Sequence, residues 1–404
     1  MMTGEPLQTG AIFCVLLLVL VALGVRVYLA AAGVGLFGLI ALIGYEPAIK
    51  LAGTIPHSKT VSYSLSVLPI FILIGFLAFY AGFTKVLFEA ARRWVGWMPG
   101  GLAVASVFAS AGFAAVSGAS TATAAVFARI AIPEMTNNGY DRRLAAGVIA
   151  ASGTLATLIP PSALLVVYAI IVEQSVGKLL LAGFLPGILS AVLYGALIVV
   201  MCKRRPHLGR PVTGYTWSQR FQALPGTAPV VAVVAIIFSA VYLGWATPTE
   251  AGAIGAMVVF VFALINGMRW TGLRRSILET AKLTVMIFAL IWGVLLFVRF
   301  LGFAGIPQAF SDLIVGLDVP RIYILLAILL GYAILGAFVD AIGLLILTLP
   351  VVYPAVMALG YDPIWFGIIV VKMAELCLIT PPIGLNCFVV NGARPEIPLQ
   401  DVFR

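Results

Sequence analysis

Charge is what this sequence has least of. Only 10% of its 404 residues are Asp, Glu, Lys or Arg, while 62% are hydrophobic. Soluble domains carry roughly 25% charged residues, so a water-facing surface over most of the chain is excluded. An integral membrane protein is expected, with no stretch left over for a soluble catalytic domain. Histidine is nearly absent as well: His57 and His207 are the two present, both in expected loops. No metal-binding His motif and no Ser–His pair within an apolar segment can be built from them, so the chain is not expected to be an enzyme. The four cysteines, Cys14, Cys202, Cys377 and Cys387, lack metal-ligand spacing, and three lie in apolar stretches. A disulfide framework is therefore not expected. Residues 1–10 carry no Lys or Arg ahead of the first apolar run, so a signal peptide's basic n-region is lacking. The formal net charge of +9 sits in basic loops. Such loops orient a chain in a bilayer and imply no nucleic-acid partner.

What is present is a repeat. Gly139-Tyr140-Asp141 and Pro160-Pro161 recur as Gly360-Tyr361-Asp362 and Pro381-Pro382, a constant separation of 221 residues (139 to 360, 160 to 381). The same shift carries Phe76 onto Phe297, Phe79 onto Phe300, Pro99 onto Pro320, Pro133 onto Pro354 and Leu155 onto Leu376. Repeated halves whose apolar segments are interrupted at matching positions point to a transporter's binding site.

Charge then gives the two copies opposite orientations. Lys203-Arg204-Arg205 with Arg210 and Arg220, and Arg269, Arg274, Arg275 and Lys282, are assigned to the cytoplasm. Asp141 is followed by Arg142-Arg143, a cytoplasmic signal, whereas Asp362 is followed by Pro363-Ile364-Trp365. Counting spans from Arg205 also puts Asp362 outside, with Met1 outside. An all-α membrane protein built on an inverted-topology repeat is the expected fold.

Residues 100–137 begin and end beside cytoplasmic signals, and 321–358 begin and end outside, so each is read as a re-entrant hairpin. Their centres are Ser117-Gly118-Ala119-Ser120-Thr121 and Val339-Asp340-Ala341. Non-helical backbone at that depth survives only inside protein or along a wet cavity. Between Thr84 and Met98, charged residues interleave with Leu, Phe and Trp, as in an amphipathic surface helix. The chain divides into N-terminal scaffold spans (1–64) and a first repeat (65–202) with hairpin 100–137 and broken helix 144–175. Basic loops and two connecting spans (203–280) follow. The second repeat (281–404) has hairpin 321–358 and broken helix 363–392. The counterpart of Lys178–Val200 would fall at 399–421, so the final span of the second repeat is expected to be absent.

Proline removes a backbone donor and clashes with the preceding turn. Each Pro-Pro therefore frees carbonyls that can hold a cation, while helix N-termini can hold a carboxylate; a purely structural kink is the alternative. Ser117 and Ser120 are ligand candidates at the first tip, and Thr123 is read as close helix packing. Asp340 stands at the second tip, where an acidic group is a functional candidate. Lys372 and Glu375, spaced i,i+3, are read as a mutual pair, with Glu375 also able to shape the site. Arg129 and Arg299 are expected to snorkel or pair near an interface. Thr247-Pro248-Thr249-Glu250 reads as a capping box with Pro at the first helical position.

From about Leu65 onward the chain resembles the large membrane subunit of tripartite ATP-independent periplasmic (TRAP) transporters. The resemblance rests on Phe113-Ala114-Ala115-Val116-Ser117-Gly118-Ala119-Ser120, Ile132-Pro133-Glu134-Met135 and Gly153-Thr154 through Ile159-Pro160-Pro161-Ser162. It rests also on Thr247-Pro248-Thr249-Glu250-Ala251 and Leu378-Ile379-Thr380-Pro381-Pro382-Ile383-Gly384-Leu385-Asn386. It implies sodium-driven uptake of a small organic acid, such as a dicarboxylate or sialic acid, across the bacterial inner membrane by an elevator-type mechanism. It implies two partners, a small four-helix membrane subunit and a periplasmic binding protein. It places one sodium site around Ala114, Ser117, Ala156, Ile159 and Pro161, and another around Gly336, Cys377, Thr380 and Ile383. Ser120 and Asn386 follow as substrate contacts, with sodium ions and no cofactor. The family usually carries Gly where this chain has Ala156 and Cys377. A self-sufficient sodium–dicarboxylate symporter is the alternative, followed by a passive channel or a structural membrane scaffold.

Overall fold

The computed structural model describes residues 6–60, 63–382 and 384–403, and every regular element among them is a helix. Met1, expected on the outer face, lies outside the described residues. The chain opens with α1 (Pro6–Ala22), α2 (Val27–Ile43) and α3 (Tyr45–Thr60). The first copy of the repeat runs through α4 (Val67–Tyr80), α5 (Phe83–Val95), α6 (Gly101–Ser117), α7 (Ser120–Asn137), α8 (Arg142–Gly153), α9 (Ala163–Ile171) and α10 (Val176–Arg204). A connection of α11 (Trp217–Ala223), α12 (Ala228–Tyr242) and α13 (Pro248–Ile265) leads to the second copy. That copy comprises α14 (Trp270–Ala304), α15 (Ile306–Val315), α16 (Arg321–Gly336), α17 (Ala341–Ala358), α18 (Pro363–Cys377), α19 (Leu385–Ala393) and α20 (Leu399–Val402).

The repeat survives into the helix boundaries. α7 and α17 start at 120 and 341 and end at 137 and 358, both 221 apart, and α8 and α18 start 221 apart, at 142 and 363. Local chemistry explains the match. In each Gly-Tyr-Asp the glycine takes a positive φ (Gly139 +76°, Gly360 +79°), which ends the hairpin arm. The aspartate then caps the next helix: Asp141 accepts from Arg143 N at 2.8 Å and Asp362 from Trp365 N at 2.8 Å. Tyr140 lies between, its hydroxyl accepting from Leu102 N (3.0 Å) and donating to Arg210 O (2.8 Å). Burial pushes its pKa up to about 12, so it stays a donor at neutral pH.

Among the described residues five helices are long and apolar enough to cross a membrane, or six if the bent pair α4–α5 counts as one span. The bend is 69° and turns α5 aside. Phe83, Leu87 and Phe88 of α5 are buried, while Arg92 and Arg93 pair with Glu89 along its length. Thr247, Pro248 and Glu250 form the expected capping box at the start of α13.

α14 lies along α2 and α4, with α13 on the other side of α4 and α12 beyond it. Against this layer sits the interrupted core. The two copies exchange their last pieces: α19 packs on α7 and α8, and α9 packs on α17 and α18. Small residues on α6 (Ala103, Ala105, Ser106, Ala109, Ser110), all buried, let neighbouring backbones approach. Phe113, Phe127, Tyr168 and Phe366 fill what remains.

Candidate functional site

The first hairpin turns on Gly118, whose φ of +59° an L side chain rarely adopts. A Cβ there would also collide with the Pro161 carbonyl oxygen, so the tip backbone rests directly on the first break. Below it α8 ends at Gly153, and the chain winds through a tight turn, Thr154–Thr157, to Pro160-Pro161. Ser162 then restarts the helix, its Oγ accepting from Leu165 N at 3.3 Å. Ala114, Ser117, Ala156, Ile159 and Pro161, assigned together from the sequence, are all buried around this junction.

At the tip Thr123 Oγ1 donates to the Ala119 carbonyl (2.9 Å) and lies 3.1 Å from Ser117 Oγ. With Thr123's proton so used, Ser117 is the donor of that pair, and the lone pairs of its oxygen stay available.

The second hairpin is closed differently. Asp340 caps α17, its Oδ2 accepting from Gly343 N at 3.1 Å, which gives this carboxylate a structural task at the tip. Gly336 abuts Cys377 so closely that a Cβ would overlap the thiol sulfur, bringing together two more residues of the expected set. Thr380 Oγ1 donates to the Leu376 carbonyl (2.7 Å), again leaving oxygen lone pairs free. Ile383 lies outside the described residues.

One cavity of about 180 Å³ touches all four interrupted elements. The first tip supplies Ser117 to Thr121 and the second Asp340 to Ile342; Thr157 and Pro161 come from the first break, Leu378 and Leu385 from the second. It is smaller than the ~300–1,000 Å³ typical of drug-sized ligands. Ser120 lines it, whereas Asn386 stands behind, fully buried. The Asn386 amide donates to Ser120 Oγ (2.9 Å) and to the Ala150 carbonyl (3.1 Å), which ties α19 to the first tip. Among the described residues no group of three His, Cys, Asp or Glu side chains is placed to hold a metal ion. The polar atoms on offer at the junctions are carbonyls and hydroxyls.

Sequence reasoning missed a buried polar hub. Glu375 is fully buried, and its Oε1 accepts from Thr154 Oγ1 (2.7 Å), Lys372 Nζ (3.0 Å) and Tyr194 OH (3.1 Å). Lys372 also donates to Ser190 Oγ at 3.0 Å. The i,i+3 pair was legible, but the link to Thr154 was not. Yet Thr154 and Glu375 stand 221 apart, so they are equivalent positions of the two copies. Equivalent positions of two repeated halves can meet where the halves face each other, and the repeat offset made this contact one to look for.

Residues 13–400 match the family of the tripartite ATP-independent periplasmic transporter, DctM component. The chain is 36% identical over 380 residues to the C4-dicarboxylate TRAP transporter large permease protein DctM of Pseudomonas aeruginosa, covering 92% of this chain and 87% of that protein. It is 30% identical over 366 residues to the isethionate TRAP transporter permease protein DctMQ of Oleidesulfovibrio alaskensis, covering 90% of this chain and 57% of that longer protein. Among solved structures, the Alcanivorax borkumensis YdaH transporter superposes with a TM-score of 0.62 at 16% identity, over 99% of this chain and 94% of that one, a likeness of fold. Paired hairpins meeting paired breaks thus coincide with a match over nearly the whole length, and the chain belongs to the TRAP transporter large permease family, as a multi-pass protein of the inner membrane.

Proposed function

We propose that this chain carries a small organic acid into the cell, driven by sodium, with the central cavity as the substrate site. The observation that carries this reading is the single cavity lined by both hairpin tips and both breaks. Interrupted helices at such a place offer N-terminal dipoles to a carboxylate and freed carbonyls to a sodium ion. The Ser117 and Thr380 hydroxyl oxygens, each with lone pairs to spare, suit a hard cation. Sodium is accordingly assigned to two junctions. One is Ala114, Ser117, Ala156, Ile159 and Pro161; the other is Gly336, Cys377, Thr380 and Ile383. Ser120 is the substrate contact, and Asn386 acts through it.

The relatives' names differ in cargo, C4-dicarboxylate in one and isethionate in another, and both are small organic anions. The reading extends to an elevator in which α6–α9 and α16–α19 move as one body against α2, α4, α13 and α14. It also takes in a periplasmic binding protein that delivers substrate and a small four-helix membrane subunit that completes the scaffold.

The test is uptake by the chain reconstituted with both partners. Accumulation should require an inward sodium gradient. Equal uptake under a proton gradient alone overturns the sodium assignment, and full uptake without a binding protein turns the reading toward a self-sufficient symporter.

A further inference from the structure

A second cavity, of about 430 Å³, opens beneath the first hairpin tip, between that hairpin and the α4–α14 layer. It shares Ile72, Ser117, Ala119 and Leu283 with the central cavity, so the two adjoin. Apart from Ser117 at the tip, its walls are apolar except at one level. There Arg129 projects from α7 opposite Glu279 of α14, whose Oε1 accepts from Tyr80 OH at 2.6 Å. Arg129 stands on the cavity face of α7 with Ala122, Ala125 and Val126, the spacing of a single helix face. Nine positions beyond Ser120, it lies roughly 13 Å along the axis from the tip. The far end of α7 is pinned by the ion pair between Glu134 and Arg92 of α5, on the basic side of the molecule.

Among the described residues Arg129 makes no hydrogen bond and no ion pair, although Glu279 lines the same space. Arg129 is exposed where it lines this mostly apolar cavity, and an uncommitted guanidinium along such a path marks a ligand route in a membrane protein. Its fork of N–H donors matches a carboxylate held by two parallel hydrogen bonds.

We propose that Arg129 forms a second carboxylate site, a way station between the central cavity and the basic face. The choice of a carboxylate rests on the organic-acid cargo proposed above. Arg129 rides on the hairpin, so substrate leaving the tip finds a guanidinium on the same element, while Glu279 faces it from the opposite layer. Glu279 then repels the anion and keeps the stop brief.

The test uses the full chain in phosphatidylcholine nanodiscs, so that no anionic lipid competes. Arginine modification by phenylglyoxal is followed residue by residue with peptide mass spectrometry, with succinate as the probe. Succinate at ten times its Kd should slow modification of Arg129 roughly tenfold by mass action, while exposed Arg274 reacts at an unchanged rate. Neutral succinamide should protect nothing. Protection should persist when choline replaces sodium, because the guanidinium itself supplies the positive charge that the carboxylate needs. Unprotected Arg129, equal protection by succinamide or by chloride of matched ionic strength, or protection confined to sodium buffers each overturns the proposal. The last outcome means that Arg129 reports only on the central cavity. Failure of the sodium-gradient uptake assay with intact choline-buffer protection removes the transport reading and leaves this site standing.

Discussion

The two proline breaks are spelled alike and live in different surroundings. Pro160 and Pro161 are buried beneath α10, where Gly183 and Gly187 let that helix lie against Leu158 and Ile159. Pro381 and Pro382 are exposed on the described chain. The first break is also anchored from the other copy, because Glu375 takes the Thr154 hydroxyl at 2.7 Å and sits 3.4 Å from that of Thr157. The contact is shared, since Glu375 is the second copy's equivalent of Thr154, but Leu378, the equivalent of Thr157, has no hydroxyl to add. A duplicated motif thus specifies where the backbone stops being helical, while its neighbours decide how firmly that irregular piece is held.

The largest effect that could break this comparison is expected at the hub. Glu375→Ala leaves Lys372 with the Ser190 hydroxyl and the face of the Tyr194 ring and strips an acceptor from Thr154 and Tyr194. Glu375 is buried but the Lys372 side chain is 34% exposed, so the loss should be about 2–3 kcal/mol, at or below that of a wholly buried pair, read as a lowered unfolding temperature of the detergent-solubilised chain. Glu375→Gln, which keeps an acceptor, should lose less. An unfolding temperature unchanged in Glu375→Ala would show that the first break is not held through this group.

Next comes the cover. A side chain at Gly187 would meet Ile159 Cγ1 at 2.6 Å and its backbone N at 3.3 Å. Gly187→Leu should cost about 1–3 kcal/mol by overpacking. Leu385→Ala, at an exposed position after the second break, should stay within about 0.5 kcal/mol. Comparable losses in the two variants would erase the distinction between a covered break and an open one.

The smallest and sharpest effect concerns the ions. Ser117→Ala and Thr380→Val each remove one hydroxyl ligand, a loss of about 0.5–1.5 kcal/mol, or roughly a two- to tenfold rise in the sodium concentration for half-maximal uptake. Membrane expression should be unaffected. Since Ser117 is buried and Thr380 only partly so, the first substitution should shift the curve further. If both variants keep the parent's sodium dependence, the side-chain part of the ion assignment falls and only the backbone carbonyls remain as ligands.

Much of this molecule could be read from its letters. Scarce charge demanded a membrane, and a bilayer interior allows little beyond helices, so the all-α class followed from composition. The Gly-Tyr-Asp landmarks proved to be helix stop and start signals, local devices that act within a few residues of themselves. That is why the 221-residue offset reappears in the helix boundaries. Contacts across the repeat were harder to see. Asn386 is taken up with Ser120 and Ala150, which no local pattern distinguishes from an amide facing substrate. Arg129 was expected to snorkel or pair, and among the described residues it is exposed along a cavity and has no ion-pair partner.

The sequence by itself determined the solvent of this protein, its inverted duplication and the positions at which its helices break, because proline, glycine and capping aspartate act through the bonds of their own segment. Only the tertiary structure decided which tip meets which break and that Glu375 accepts from Thr154, its equivalent in the other copy. Those outcomes depend on close packing between segments tens to hundreds of residues apart, where one glycine admits a backbone and one added Cβ excludes it.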